Sequence, residues 1–324
     1  MKTIPFITIL LLLAAAGCDA PRDRARPLVV TSIAPIGDWI ARLGGGDVDV
    51  QVLVSPASNP HTFELAPGQL RQASQASLVV FNGAGLEFWA DRLLGNLRDA
   101  RTPVLTLSDG VDLLQDGHDH AHNAHAQEED AHHEGHAQEG HAHPEGHAPG
   151  TRAPGGTAMG NPHFWLDPVL AREAVQRIAA ALITLLPARR DSITQRLAAL
   201  DGELRELDAD IRTAATSWTQ RRFVSDHAAW VYFARRYGIE EAGVIEELPG
   251  REISARAMAG LIRTMKEKDI QVVFADVRKS SRAADLLGEE SGARVVRLDL
   301  LCSAGQGYVH MMRDNLSNMS TVMR

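Results

Sequence analysis

The sequence predicts an α/β protein with two lobes of parallel sheet flanked by helices, joined by one long backbone helix. Short apolar runs alternate with helical stretches over residues 28–107, and the same alternation resumes over residues 219–324. Between these halves, residues 189–218 carry apolar side chains three or four positions apart, which is typical of one amphipathic helix of roughly seven or eight turns. The length of 324 residues is enough for about two domains.

In the first half, each predicted strand is a short run of apolar, mostly β-branched residues, and the first helix is stopped by the glycine run 44–46. Strands are predicted at residues 28–32, 48–54, 78–81 and 104–107, and helices at 35–43, 67–75 and 87–97. This βαβαβ order favours a parallel sheet covered by helices.

In the second half, helices at 167–186 and 189–218 precede a further alternation. Strands are predicted at residues 223–225, 243–245, 271–275 and 294–298, and helices at 228–237, 255–268, 282–290 and 308–323. We therefore expect an N-terminal lobe over residues 28–167, connecting helices over 168–218 and a C-terminal lobe over 219–324.

The N-terminus is typical of an export signal, with Lys2 followed by an apolar run over residues 4–16 that is short for a membrane span. The run ends in Ala-Ala-Gly-Cys, which resembles a bacterial lipoprotein cleavage site and predicts lipidation of Cys18. Ordinary signal cleavage nearby is the alternative. Residues 1–18 would then be the signal peptide and 19–27 a tether, and Asp19 resembles an inner-membrane retention signal. We expect the folded part to be periplasmic, or at the cell surface in a Gram-positive organism.

The charge is concentrated in one segment. The formal net charge is −8, and eight carboxylates with no Lys or Arg lie between residues 116 and 147. The remaining sequence is balanced and has no basic cluster, so nucleic acid is not an expected partner.

The same acidic segment holds ten of the fourteen histidines and lies within a long interruption, residues 109–160, that we expect to be a disordered loop. These histidines are predicted accessory zinc ligands for capture or sensing, with a solvated low-complexity spacer as the equal alternative. They are His118, His120, His122, His125, His132, His133, His136, His141, His143 and His147.

Outside the loop, His163 lies on a stiff segment, because Pro162 and Pro168 fix their own φ angles and keep the residues before them out of the helical region. His61 and His227 each follow a predicted strand, and Asp299 follows the strand at 294–298. Residues beyond the carboxyl ends of parallel strands line the ligand crevice of such sheets.

These four residues would meet where the lobes face each other, and three imidazoles with one carboxylate suit Zn²⁺, whereas Mn²⁺ prefers more oxygen. For each histidine alone, a surface or core position is the competing interpretation. Metal binding requires neutral imidazoles, so affinity is expected to fall as pH drops through the histidine range.

Several motifs together resemble the zinc- and manganese-binding solute-binding proteins of bacterial ABC importers. They are PHTFE at 60–64, NPHFWLDP at 161–168, HAAWVYFARRYG at 227–238, LD at 298–299 and YVHMMRDNL at 308–316. The resemblance runs from residue 28 to the C-terminus. It implies two α/β lobes with a metal in the cleft between them.

The resemblance also implies that His61, His163, His227 and Asp299 are the metal ligands. Manganese-binding members typically carry Glu at the position of His227, so this sequence resembles the zinc-binding members. The sequence departs from the family at Asn161, where Asp is more common. An amide therefore stands where the family more often has a carboxylate next to the metal ligands.

The sequence therefore predicts a monomeric, lipid-anchored binding protein that delivers Zn²⁺ to an importer permease and its ATPase. A binding protein or adhesin for manganese or another divalent metal is the first alternative. An extracytoplasmic zinc hydrolase is the second, but it would need an open coordination position and a general base, and no His-Glu-x-x-His motif is present. We expect the protein not to be an enzyme.

Overall fold

A computed structural model describes residues 26–90, 93–95, 97, 101–115, 160–246, 253–279 and 282–324. Cys18 and the ten predicted loop histidines lie outside these residues. No helix in the described ranges is both long enough and apolar enough to cross a membrane.

The first sheet has four parallel strands in the order β2-β1-β3-β4. The strands are β1 (Leu28–Thr31), β2 (Asp49–Val52), β3 (Leu78–Phe81) and β4 (Val104–Thr106). Helices α1 (Ala34–Gly44) and α2 (Pro67–Ala73) follow β1 and β2, and a short 3₁₀ turn spans Phe88–Ala90. Since β2 and β3 lie on opposite sides of β1, the chain reverses direction across the sheet beside the loops that follow β1 and β3.

The second sheet repeats this topology in the order β6-β5-β7-β8, again with all strands parallel. Its strands are β5 (Arg222–Ser225), β6 (Glu240–Val244), β7 (Val272–Asp276) and β8 (Arg294–Leu298). Its helices are α5 (Val231–Tyr237), α6 (Ala255–Glu267), α7 (Arg282–Ser291) and α8 (Tyr308–Val322).

In the described part of the connection between the sheets, two helices follow one another: α3 (Pro168–Leu185) and the long α4 (Arg190–Thr216). The 27 residues of α4 give a length of about 40 Å at 1.5 Å per residue. Its buried residues lie along one stripe that packs against α3, α1 and α8: Ile193, Leu200, Leu204, Leu207, Ile211 and Ala215. One hydrophobic core includes this stripe and residues of both lobes, so the predicted two-lobe α/β architecture with a backbone helix is confirmed.

One helix begins three residues later than predicted. The helix after β5 was predicted from residue 228, but it starts at Val231. The backbone N–H of Ala229 donates to the carbonyl of His227 at 2.6 Å, and Ser225 Oγ donates to the same carbonyl at 2.9 Å. These local bonds hold His227 in a tight turn before the helix.

Candidate metal centre

The structure brings three of the four predicted ligands together. Ligand atoms of His61, His163 and His227 all lie within 4.8 Å of one another. The Nε2 atom of His163 is 3.1 Å from Nε2 of His61 and 3.3 Å from Nε2 of His227. Nitrogen ligands about 2.05 Å from a tetrahedral Zn²⁺ would be about 3.3 Å apart, so these two spacings match a zinc ion at the centre of the cluster.

His163 lies in a 3₁₀ turn, His163–Leu166, that is held from both lobes. Asn82 Nδ2 in the first lobe donates to the carbonyl of Pro162 at 2.9 Å. From the second lobe, Tyr308 Oη donates to the carbonyl of Trp165 at 2.6 Å, and the indole N–H of Trp165 donates to Leu300 at 2.9 Å. The stiffness that two prolines predict is therefore reinforced by contacts distant in sequence.

Asn161 orients the His163 imidazole. Its Oδ1 accepts the backbone N–H of His163 at 2.9 Å and faces Nδ1 of the same ring at 3.0 Å. An amide oxygen can only accept, so Nδ1 carries the proton and Nε2 presents its lone pair to the cluster. Asn161 Nδ2 donates to the carbonyl of Ala228, beside His227. The Asn161 amide therefore makes the contact that orients His163, although the family more often has Asp at this position.

His61 and His227 approach from loops of opposite lobes. Asn59 Oδ1 accepts the backbone N–H of His61 at 2.9 Å, which fixes the loop after β2. His227 follows β5, and the carboxylate of the neighbouring Asp226 accepts the backbone N–H of Asp276 at 2.8 Å. The cluster thus lies where the carboxyl ends of both sheets meet.

Burial keeps the three imidazoles neutral. It is the largest cause that lowers the pKa of His61 to about 4, with Lys279 and Arg278 adding to the effect. The pKa values of His163 and His227 lie well below 6.5, again chiefly because of burial and then because of neighbouring histidines and cations. Neutral imidazoles are the form that binds metal.

These low pKa values move the expected pH dependence of zinc binding. Affinity should stay nearly constant as pH falls through the ordinary histidine range near 6.5 and should drop as pH approaches about 4, the pKa of His61. Because each folded-state pKa is depressed, the zinc-free protein should lose folding stability as pH falls from about 6.5 towards 4. Chelator competition and urea unfolding across this range measure both effects. A tenfold loss of affinity between pH 7 and 6, once the chelator's own protonation is corrected, would contradict this prediction.

Asp299 does not join the cluster in this structure. One carboxylate oxygen accepts the backbone N–H of Leu301 at 2.9 Å. The other accepts the backbone N–H of Ser303 at 2.7 Å and its hydroxyl at 2.8 Å. The carboxylate therefore closes its own turn, while the next two residues, Leu300 and Leu301, line the cavity in front of the histidines.

Three charged residues that the sequence analysis did not single out also line this cavity: Glu246, Arg278 and Lys279. Arg278 donates to the Asp276 carboxylate and, through Nη1, to the carbonyl of Ser58 at 3.0 Å in the opposite lobe. The signal that could have found them is position, since they follow β6 and β7 as His227 follows β5.

Two other residues with potential metal-binding side chains lie outside the cluster. Cys302 is a buried free thiol, and burial raises its pKa. His310 is exposed on α8 and lies 3.3 Å from Asp314 one turn further along.

The fold and the cluster define a class: a two-lobed binding protein with a three-histidine cluster between its lobes that could hold a metal ion. A model of the family described as the periplasmic component A of zinc-uptake complexes, ZnuA, matches residues 29–322. The chain therefore belongs to the ZnuA family. This family is an uptake component and not an enzyme, which agrees with the prediction from the sequence.

Individual relatives are similar over most of this chain. The high-affinity zinc uptake system protein ZnuA of Bacillus subtilis is 28% identical over 318 residues, covering 94% of this chain and 92% of that protein. The zinc-binding protein AdcA of Streptococcus pyogenes is 28% identical over 308 residues, covering 90% of this chain and 55% of that protein. The chain thus spans about half the length of AdcA. A crystal structure of a zinc-bound ZnuA deletion mutant matches with a TM-score of 0.71 and 26% identity, covering 92% of this chain and 98% of that one.

Proposed function

We propose that this protein captures Zn²⁺ outside the cytoplasm and delivers it to the permease and ATPase of an ABC importer. The observation that carries this proposal is the set of Nε2 spacings, 3.1 and 3.3 Å, in a buried cluster of neutral imidazoles. Family membership and the zinc-binding relatives support the same metal. Zinc is the cargo, and His61, His163 and His227 are its proposed ligands.

Metal competition tests this proposal directly. The mature chain is titrated with Zn²⁺ against a chromophoric chelator, and the titration is repeated with Mn²⁺. We expect one tightly bound zinc per chain and much weaker manganese binding, because three imidazoles suit Zn²⁺ better than Mn²⁺. Equal affinity for the two metals would favour the general divalent-metal alternative. No tight zinc binding would overturn the proposal.

We further propose that the histidine-rich segment supplies accessory zinc capture. Deleting residues 117–147 should remove weakly bound zinc above one equivalent and should slow zinc transfer from a chelator to the site. Equilibrium dialysis and stopped-flow transfer measure the two quantities. As a matched control, the same segment with its ten histidines replaced by asparagine keeps the length and the acidic residues. Unchanged stoichiometry and transfer rate in both variants would leave the segment as a spacer.

We also propose the cellular location, the lipid anchor, the lobe boundaries and the oligomeric state of the protein. Family membership supports a periplasmic location. The Ala-Ala-Gly-Cys sequence supports a lipid anchor on Cys18, and mass spectrometry of the membrane-extracted protein tests it. We keep the lobe boundaries at 28–167 and 219–324, since each range contains one four-stranded sheet. We propose that the protein is a monomer.

A further inference from the structure

The cavity in front of the three histidines offers a carboxylate other than the one that the sequence predicts. Of the described residues that line this cavity, Glu246 alone carries a carboxyl group, and its side chain is 15% exposed. Asp299 is not among these lining residues, and both of its oxygens accept hydrogen bonds within its own turn. Three histidines leave one position of a tetrahedral Zn²⁺ to be filled.

The backbone of Glu246 is fixed beside the His227 loop. Strand β6 ends at Val244, and the next N–H, that of Ile245, donates to the carbonyl of Ser225 at 2.9 Å. The N–H of Glu246 then donates to the carbonyl of Asp226 at 2.7 Å. The backbone of Glu246 is therefore hydrogen-bonded to the residue directly before His227. Only rotation about its side-chain bonds is then needed to change the direction of its carboxylate.

One partner of the Glu246 carboxylate is a cation. Glu246 Oε2 forms an ion pair with Lys279 Nζ, and both residues line the histidine cavity. Both are also close enough to influence His61, whose pKa Lys279 lowers and Glu246 raises. The Lys279 side chain is 30% exposed and sits on four flexible methylenes, so it can turn towards solvent without breaking the fold.

We propose that Glu246 is the fourth ligand of the bound metal and that it reaches the metal by exchanging the Lys279 ammonium for Zn²⁺. One zinc–oxygen bond forms, the Glu246–Lys279 ion pair breaks, and no proton is transferred. The exchange places a single negative charge on a dication that is otherwise held by three neutral imidazoles. Lys279 then acts as an internal competitor that returns to Glu246 when zinc leaves. This inference rests on the proposed zinc-binding function.

Two carboxylate variants test the assignment as a matched pair, Glu246→Gln and Asp299→Asn. We expect Glu246→Gln to weaken zinc binding by about tenfold or more, since even groups that only orient metal ligands contribute 10–100-fold. Asp299→Asn should leave zinc affinity within about threefold of the wild type, because its oxygens face its own turn. Chelator competition measures both affinities.

Cobalt spectroscopy separates ligation from simple attraction of charge. In Co²⁺-loaded protein, Glu246→Gln should shift the visible absorption bands, because the metal loses an oxygen ligand, whereas Asp299→Asn should not shift them. Lys279→Met should leave the spectrum unchanged and tighten zinc binding by up to about fivefold, the size expected for losing a partly exposed ion pair. It should also slow zinc release.

The outcomes distinguish this inference from the proposed function. If the wild type binds one zinc tightly but Asp299→Asn shifts the cobalt bands and Glu246→Gln does not, Asp299 is the ligand and only the inference fails. If neither variant shifts the bands, the fourth position belongs to solvent and the inference also fails. If Glu246→Gln does not fold, the Lys279→Met variant provides the test. Zinc affinity and a zinc release rate equal to those of the wild type would overturn the proposed exchange. If the wild type binds no zinc, the proposed function itself fails.

Discussion

Replacing His163 with alanine is expected to lower zinc affinity by about 100-fold or more while the protein remains folded. The substitution removes the Nε2 atom that lies between those of His61 and His227. Loss of groups that only orient metal ligands costs 10–100-fold, so loss of a central ligand should reach at least the upper end of that range.

The fold should survive because its main contacts at this turn do not use the imidazole. Asn82 still bonds the carbonyl of Pro162, and Trp165 still bonds the carbonyl of Leu300. Zinc affinity by chelator competition and thermal unfolding without zinc measure the two effects. The matched control is His310→Ala, an exposed histidine on α8 that should leave both quantities unchanged. Zinc affinity within threefold of the wild type in His163→Ala would exclude His163 as a ligand.

The sheets could be predicted from sequence because parallel strands covered on both faces are continuous apolar runs. All residues of β3 and β7 are buried, and both strands were predicted within one residue of their observed bounds. Strand β6 was predicted at 243–245 but spans Glu240–Val244. It is an edge strand with an exposed Glu240, so its beginning has no apolar signature.

The convergence of the three histidines could be predicted because strand ends can be recognised in the sequence and parallel sheets bring those ends to one edge. The direction in which a side chain points could not be predicted. Asp299 follows β8 as expected, but backbone and hydroxyl donors at Leu301 and Ser303 turn its carboxylate towards its own loop. Such local side-chain to backbone bonds compete with any distant ligand.

The ion pair between Glu246 and Lys279 was not predicted because the two residues lie in loops that are far apart in sequence. Each follows a strand, but neither belongs to a periodic pattern or a short motif. The role of Asn161 was likewise hidden, since it depends on the contacts that its amide makes with His163 and with the carbonyl of Ala228.

Stability at the centre of the molecule should depend strongly on Arg236. This residue of α5 forms an ion pair with Asp167, the N-cap of α3, and so connects the second lobe to the helix that follows the His163 turn. The Asp167 side chain is 2% exposed and that of Arg236 27%. We expect Arg236→Met to destabilise the fold by about 3 kcal/mol, the lower end for removing one partner of a buried ion pair, because the carboxylate is left buried without its cation.

The neighbouring arginine provides a control on the same helix. Arg235 pairs with Asp112 at 3.7 Å, and both side chains are exposed, so Arg235→Met should change stability by no more than about 0.5 kcal/mol. Urea unfolding of the zinc-free variants at pH 7 compares the two. Equal effects of the two substitutions would show that burial of the pair does not decide its contribution.

The pH dependence of the difference between Arg236→Met and wild type gives an independent check. Burial is the largest cause that raises the pKa of Asp167 above 3.8, and Arg236 opposes it. Without Arg236 this pKa should rise further, so a proton can neutralise the carboxylate at moderately acidic pH. A carboxyl group whose pKa is raised in the folded state stabilises the folded protein at low pH. This stabilisation is lost as pH rises. The stability difference should therefore shrink as pH falls from 7 towards 5. Protonation of the three histidines lowers the folding stability of both proteins over the same pH range, so this common loss cancels from the difference.

A stability difference that stays constant with pH would mean that Asp167 keeps its charge. The cost of the substitution would then arise from the lost packing of the arginine side-chain stem.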